Sequence, residues 1–139
     1  MGPKPRIVFV CVENSNRSQM AEAFARMLAG DAVDAHSAGS APSGKVNPRA
    51  IQFMAERGYD LSTHTSKSLD DLPVGDYAAA ITMGCGDSCP MIVSPIHEDW
   101  GITDPKHLPD EEFRQIRDGI ETKVRELLGR IGVPVVNHG

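Results

Sequence analysis

Basic residues are in deficit: 14 Lys and Arg stand against 19 Asp and Glu, a formal net charge of −5. Nucleic-acid binders carry the opposite balance, so neither DNA nor RNA is the expected partner. Long apolar runs are missing as well. The longest early one, Ile7 to Val12, stops at Glu13, too short for a membrane span or the core of a signal peptide. Arg6 stands where a myristoylation signal starting at Gly2 needs Ser or Thr. A cytoplasmic protein without membrane attachment is therefore expected. Cysteine is sparse and odd in number, and Cys11, Cys85 and Cys89 do not make a secreted disulfide framework. As thiols they have three uses open to them: inert core residues, metal ligands or redox chemistry. Internal repeats and low-complexity stretches are also absent. What is present is ordinary for a globular chain, with 40% hydrophobic and 24% charged residues. Its 139 residues suit a single domain spanning positions 1–139, monomeric by default, with one core and one site.

Arg6-Ile-Val-Phe-Val-Cys-Val12 is β-branched and almost continuously apolar, the pattern of a strand buried on both faces of a parallel sheet. Polar residues Glu13 to Arg17 follow. Ser18 then reads as the cap of a helix with Met20, Ala23, Phe24, Met27 and Leu28 at helical spacing and Gly30 as its stop. Val33 to Ser37, ending at Ala38-Gly39, reads as a second strand. Asn47-Pro48 opens a second helix, with Ile51, Met54 and Ala55 on one face and Gly58 as terminator. Tyr77 to Met83 predicts a third strand running into Gly84-Cys-Gly-Asp-Ser-Cys-Pro90, and Ile96 to Trp100 holds a short fourth. After Pro109, Phe113, Ile116, Ile120, Val124, Leu127, Leu128 and Ile131 recur at steps of three and four, which predicts a long amphipathic helix whose solvated face takes Arg114 and Arg117. This alternation specifies an α/β protein, a small parallel sheet covered on both sides, with functional loops at the carboxyl ends of the strands. Both cysteine-bearing loops fall at such ends.

Cys11-Val-Glu-Asn-Ser-Asn-Arg17-Ser18 places a thiol at a strand exit, with an arginine and a helix start just beyond it. Backbone N–H groups of such a loop, here Val12, Glu13, Asn14, Ser15, Asn16, Arg17 and Ser18, converge with the positive end of the helix on one point. Arg17 adds a fork matched to a tetrahedral oxyanion. The same field favours an anionic sulfur at Cys11, aimed at the bound ligand. Cys85 and Cys89 are harder to assign from their spacing. Zinc binding with His97 or His64 lacks an evident fourth ligand, and Gly, Asp and Ser around the two thiols point to a loop rather than a packed interior.

With these residues in view, the chain resembles the low-molecular-weight protein tyrosine phosphatases and, more closely, the arsenate reductases that share their fold. The resemblance rests on the Cys-x5-Arg-Ser loop, Arg17-Ser-Gln-Met-Ala-Glu22, Ser37-Ala-Gly39, Val46-Asn-Pro48, His64-Thr-Ser66, Thr82 to Pro90, Asp99-Trp-Gly101 and Asp104-Pro105. It implies a single phosphatase-like domain with a four-stranded parallel sheet flanked by helices. It also implies arsenate reduction by a thiol relay: Cys11 attacks arsenate, Cys85 attacks the Cys11 sulfur and releases arsenite, and Cys89 resolves the first disulfide. Asp104 takes the place of the general acid. Arsenate would be the substrate, with phosphate or sulfate as mimics. No bound cofactor or metal is implied, but an external reductant is, thioredoxin being favoured over glutaredoxin, mycothiol or another low-molecular-weight thiol. Lys106 stands where the tyrosine phosphatases carry an aromatic residue. The alternatives are a low-molecular-weight tyrosine phosphatase, or an oxyanion-binding or redox-sensing module without turnover.

Asn14 and Ser37 are expected to support the loop by bonding to each other. Some thioredoxin-coupled relatives hold a monovalent cation near the loop, and Asn14, Glu22, Ser37 and Thr65 match its ligands. Lys67 replaces the last acid, and its ammonium would repel or replace the cation, so no potassium site is expected. His36 and His64 read as hydrogen-bonded or surface histidines, and Trp100 as a packing anchor.

Overall fold

The computed structural model describes residues 4–84, 92 and 94–135. Its strands are β1 (Arg6–Cys11), β2 (Asp34–Gly39), β3 (Ala79–Thr82) and β4 (Ile96–Asp99), and its helices are α1 (Arg17–Ala29), α2 (Pro48–Ala55) and α3 (Asp110–Arg130). The four strands form one parallel sheet in the order β2-β1-β3-β4. β1 is central because it can be buried on both faces: Ile7, Val8, Phe9 and Val10 are all essentially inaccessible. Each such side chain contributes about 1.5–3 kcal/mol through burial.

Ile7 and Phe9 face a core built with Phe24 of α1, Phe53 of α2 and Ile120 and Leu127 of α3. Trp100 packs on Phe9 with ring centroids 5.8 Å apart, as an anchor should. The other face of β1, Val8 and Val10, meets Ala80 and Tyr77, with Leu69, Leu72 and Ile92 against them. Among the described residues, then, the three helices share the first core, and the second face is closed by turns and loop residues.

Asn47 caps α2 as its sequence suggests, its side chain accepting from the Arg49 N–H at 2.8 Å. α1 departs from expectation. It starts at Arg17, with Asn16 in the cap position and no side-chain cap bond. Ser18 is thus inside the first turn, where its hydroxyl is free for other work. Arg117 also departs, being 6% exposed rather than solvated. Its Nη1 donates to the Phe53 carbonyl at 2.9 Å and to Glu56 at 2.7 Å, tying α3 to α2. Arg114 pairs with the same Glu56 at 3.0 Å from an exposed position. These two guanidiniums hold the Glu56 carboxyl down at about 2.

Candidate active site

The loop between β1 and α1 has its carbonyls turned outward and bonded. Val12 O accepts from the Ala41 N–H (2.8 Å), Glu13 O from Ser43 N–H (3.1 Å) and Ser66 Oγ (2.9 Å), and Ser15 O from Asn47 N–H (2.8 Å). The N–H groups of residues 13–16 find no acceptor among the described residues. Peptide planes fixed by their oxygens leave their N–H groups on the inside, and the result is an anion cradle at a helix start. Two backbone details permit it. Asn14 adopts φ +49, the left-handed region. Gly39, at the end of β2, lies so close that a Cβ there would stand 2.4 Å from Val12 O.

Over the cradle lies a cavity of about 380 Å³ lined by Cys11, Glu13, Arg17, Asp104, Lys106 and His107 among others. The structure therefore brings Cys11, Arg17 and Asp104 together. Arg17 Nη1 donates to Met83 O at 2.6 Å and Ile102 O at 2.8 Å, beyond the carboxyl ends of β3 and β4. Among the described residues its Nε and Nη2 have no protein acceptor, which leaves them for a ligand. Asp104 is exposed and caps the turn Pro105–His107 by accepting from the Lys106 N–H at 3.1 Å. Arg49 of α2 clamps that turn, donating to Lys106 O at 3.1 Å and to Asp110 at 3.0 Å. Asn16 is buried with both side-chain polar atoms unpaired among the described residues.

Behind the loop runs a chain of hydrogen bonds whose direction can be worked out. Gln19 Nε2 faces the acceptors Asn14 O (3.0 Å) and Thr65 O (2.9 Å), so its Oε1 must be the atom 2.9 Å from His64 Nδ1. His64 then carries its proton on Nδ1, and the other ring nitrogen accepts from the Tyr59 hydroxyl at 2.5 Å. Asn14 Oδ1 accepts from Gln19 Nε2 (2.9 Å) and Lys67 N–H (2.7 Å), so Asn14 Nδ2 donates to Ser18 Oγ at 2.8 Å. The Ser18 proton is left for Cys11 Sγ, also 2.8 Å away. Along the line Tyr59, His64, Gln19, Asn14, Ser18, each residue donates to the next one toward the sulfur.

The expected bond between Asn14 and Ser37 is not made. Asn14 holds the loop through Ser18, Gln19 and Lys67, while Ser37 donates to Glu22 Oε1 at 2.5 Å. Glu22 is 3% exposed. Burial raises its pKa, but Lys67, the Ser37 hydroxyl, His64 and Arg26 outweigh this and hold it below the ordinary glutamate value. Lys67 Nζ lies 3.4 Å from Glu22 Oε1 and 3.1 Å from Thr65 O, so an ammonium stands against two of the anticipated cation ligands. Burial pushes the His64 pKa down and that of Tyr59 up. His36 Nε2 lies 2.9 Å from Asp34 Oδ1.

Gln19, Tyr59, Arg49 and Gly39 have supporting roles that the sequence did not assign, while His64 is a hydrogen-bonded histidine as expected. The only signal for the first was its place in Arg17-Ser-Gln-Met-Ala-Glu22. Cys85 and Cys89 lie outside the described residues, and so does the zinc alternative that needs them. Among the described residues no three His, Cys, Asp or Glu side chains gather as a metal site.

Comparison with known proteins agrees with this geometry. The profile of the low molecular weight phosphotyrosine protein phosphatase family matches residues 6–135. "Arsenate reductase 2" of Staphylococcus haemolyticus is 37% identical over 130 residues, covering 91% of this chain and 98% of that one. A structure described as an arsenate reductase in the phosphate binding state superposes with a TM-score of 0.84 at 37% identity, covering 92% of this chain and 99% of that one. A thioredoxin-dependent arsenate reductase of Corynebacterium glutamicum gives 0.73 at 33% identity, covering 94% of this chain and 63% of that one. The chain belongs to the low molecular weight phosphotyrosine protein phosphatase family and is similar, along most of its length, to that family's arsenate reductases.

Proposed function

We propose that the protein reduces arsenate to arsenite in the cytoplasm, as a thiol-dependent detoxifying enzyme. The observation that carries the oxyanion part is the cradle: inward N–H groups, the free edge of Arg17 and the Cys11 sulfur meet in one cavity with Asp104 at its wall. Reduction rather than ester hydrolysis is supported by Cys85 and Cys89 in the sequence, since hydrolysis has no use for further thiols. The similarity to arsenate reductases supports it too.

Arsenate seats on the N–H groups with Arg17 along one edge. Cys11 sulfur, steadied by the Ser18 proton, attacks arsenic, and the departing oxygen leaves as water with a proton from Asp104. The Cys85 thiolate then attacks the Cys11 sulfur, the S–As bond breaks and its electron pair passes to arsenic. Arsenic leaves as arsenite, and Cys11 and Cys85 are left as a disulfide. Cys89 attacks Cys85, frees Cys11 and leaves a Cys85–Cys89 disulfide for an external dithiol, for which thioredoxin is the favoured donor.

The two activities of such a site can be separated. Cys85→Ser is expected to abolish arsenite release with a thioredoxin system while leaving slow aryl phosphate hydrolysis, which needs only Cys11, Arg17 and an acid. Cys89→Ser is expected to complete one arsenate reduction and stop with Cys11 and Cys85 joined, visible by mass spectrometry after a single turnover. Both thiols found reduced in the stalled protein would reject this order, and no arsenate turnover in the unaltered protein would reject the function.

A further inference from the structure

The anion loop carries a carboxylate at its own mouth. Glu13 and Lys106 both line the cavity over Cys11, and Lys106 Nζ stands 3.5 Å from Glu13 Oε2, each side chain 43% exposed. A negative side chain beside an oxyanion site repels the ligand unless a cation compensates it. Lys106 supplies that cation, carried on the turn that Asp104 caps and Arg49 clamps. The pair also lines a second cavity of about 160 Å³, with Ser43, Lys45, Val46 and Pro48. Among the described residues, no Phe, Tyr or Trp lines either space.

The geometry points to Glu13 and Lys106 as a specificity-determining pair that reserves the cradle for small inorganic oxyanions and turns aryl phosphate esters away. This rests on the oxyanion chemistry proposed above. A free tetrahedral anion sits beneath the pair and leaves both charges in water. The ring of an aryl ester has to project through the mouth and lie against them, stripping water from an ion pair with no aromatic face among the described residues for the ring to stack on in return.

The test compares the unaltered protein with Glu13→Ala and with Glu13→Ala/Lys106→Ala. For each, kcat/KM is measured for arsenate reduction and for p-nitrophenyl phosphate hydrolysis, together with inhibition by inorganic phosphate, which reports an intact cradle. Both variants are expected to raise the ratio of ester to arsenate kcat/KM about tenfold, equal to about 1.4 kcal/mol of differential transition-state binding. A ratio within about twofold of the unaltered protein in both variants overturns the assignment. If the unaltered protein reduces no arsenate, the proposed function falls separately. The pair is then judged by ester kcat/KM relative to phosphate inhibition, with the same tenfold and twofold limits.

Discussion

Arg17 shows how much one side chain is asked to do. Its Nη1 is spent on the carbonyls of Met83 and Ile102, which fixes the plane of the guanidinium and leaves the rest of the fork for the cavity it lines with Cys11. Lysine keeps the charge but can hold neither the plane nor two parallel bonds. Arg17→Lys is therefore expected to lower kcat/KM for arsenate by about 10²-fold or more, the cost of losing one preorganised oxyanion donor, as measured by arsenite production. Near-normal turnover would show that a point charge suffices. Cys11 and Arg17 could be read as candidates from a strand exit and a helix start, which are local patterns, whereas Asp104 entered only through the family resemblance, since Asp-Pro by itself is a common turn. The line from Tyr59 through His64 and Gln19 was not legible in the sequence. Its members come from α1 and a distant loop, and their pairing depends on how the amide of Gln19 is turned.

At the scale of elements, the cradle is shaped as much by β2 as by its own residues. β2 pairs with β1 up to Cys11 and Gly39, and the missing side chain at Gly39 lets the loop close over the strand end. A methyl at 2.4 Å from Val12 O cannot be accommodated without moving the loop backbone. Gly39→Ala is expected to cost about 1–3 kcal/mol of stability and to weaken protection by phosphate in thermal unfolding. A variant that unfolds normally and is still protected would show that the loop is shaped without β2. The order of strands and helices was readable from periodicity because each buried face repeats with its own period. The start of α1 and the burial of Arg117 were not. Ser18 has the chemistry of a cap yet bonds the thiol, and Arg117 has the chemistry of a surface yet satisfies a carbonyl of α2.

For the whole molecule, the polar cluster behind the loop couples stability to pH. Burial depresses the His64 pKa, so the unfolded chain takes up a proton more readily than the fold does. The stability gained from neutral His64 is complete above about pH 6.5 and is lost as pH falls through the lower folded value. Glu22, also depressed, adds a contribution present above about pH 4.3 and lost as pH falls further. The unfolding temperature is expected to drop below pH 6.5, and His64→Asn, which keeps an N–H donor without a titrating ring, is expected to flatten that first decline. An unchanged profile in the variant would assign the decline to other groups. The cradle itself has a consequence for the cell. It is made chiefly of backbone N–H groups, which read charge and tetrahedral shape but carry no side chain to gauge the central atom. Phosphate is therefore expected to compete with arsenate for the same seat. Discrimination has to come after binding, when only the anion whose central atom accepts two electrons can move on, so that the enzyme sorts by commitment and lets the wrong anion go unchanged.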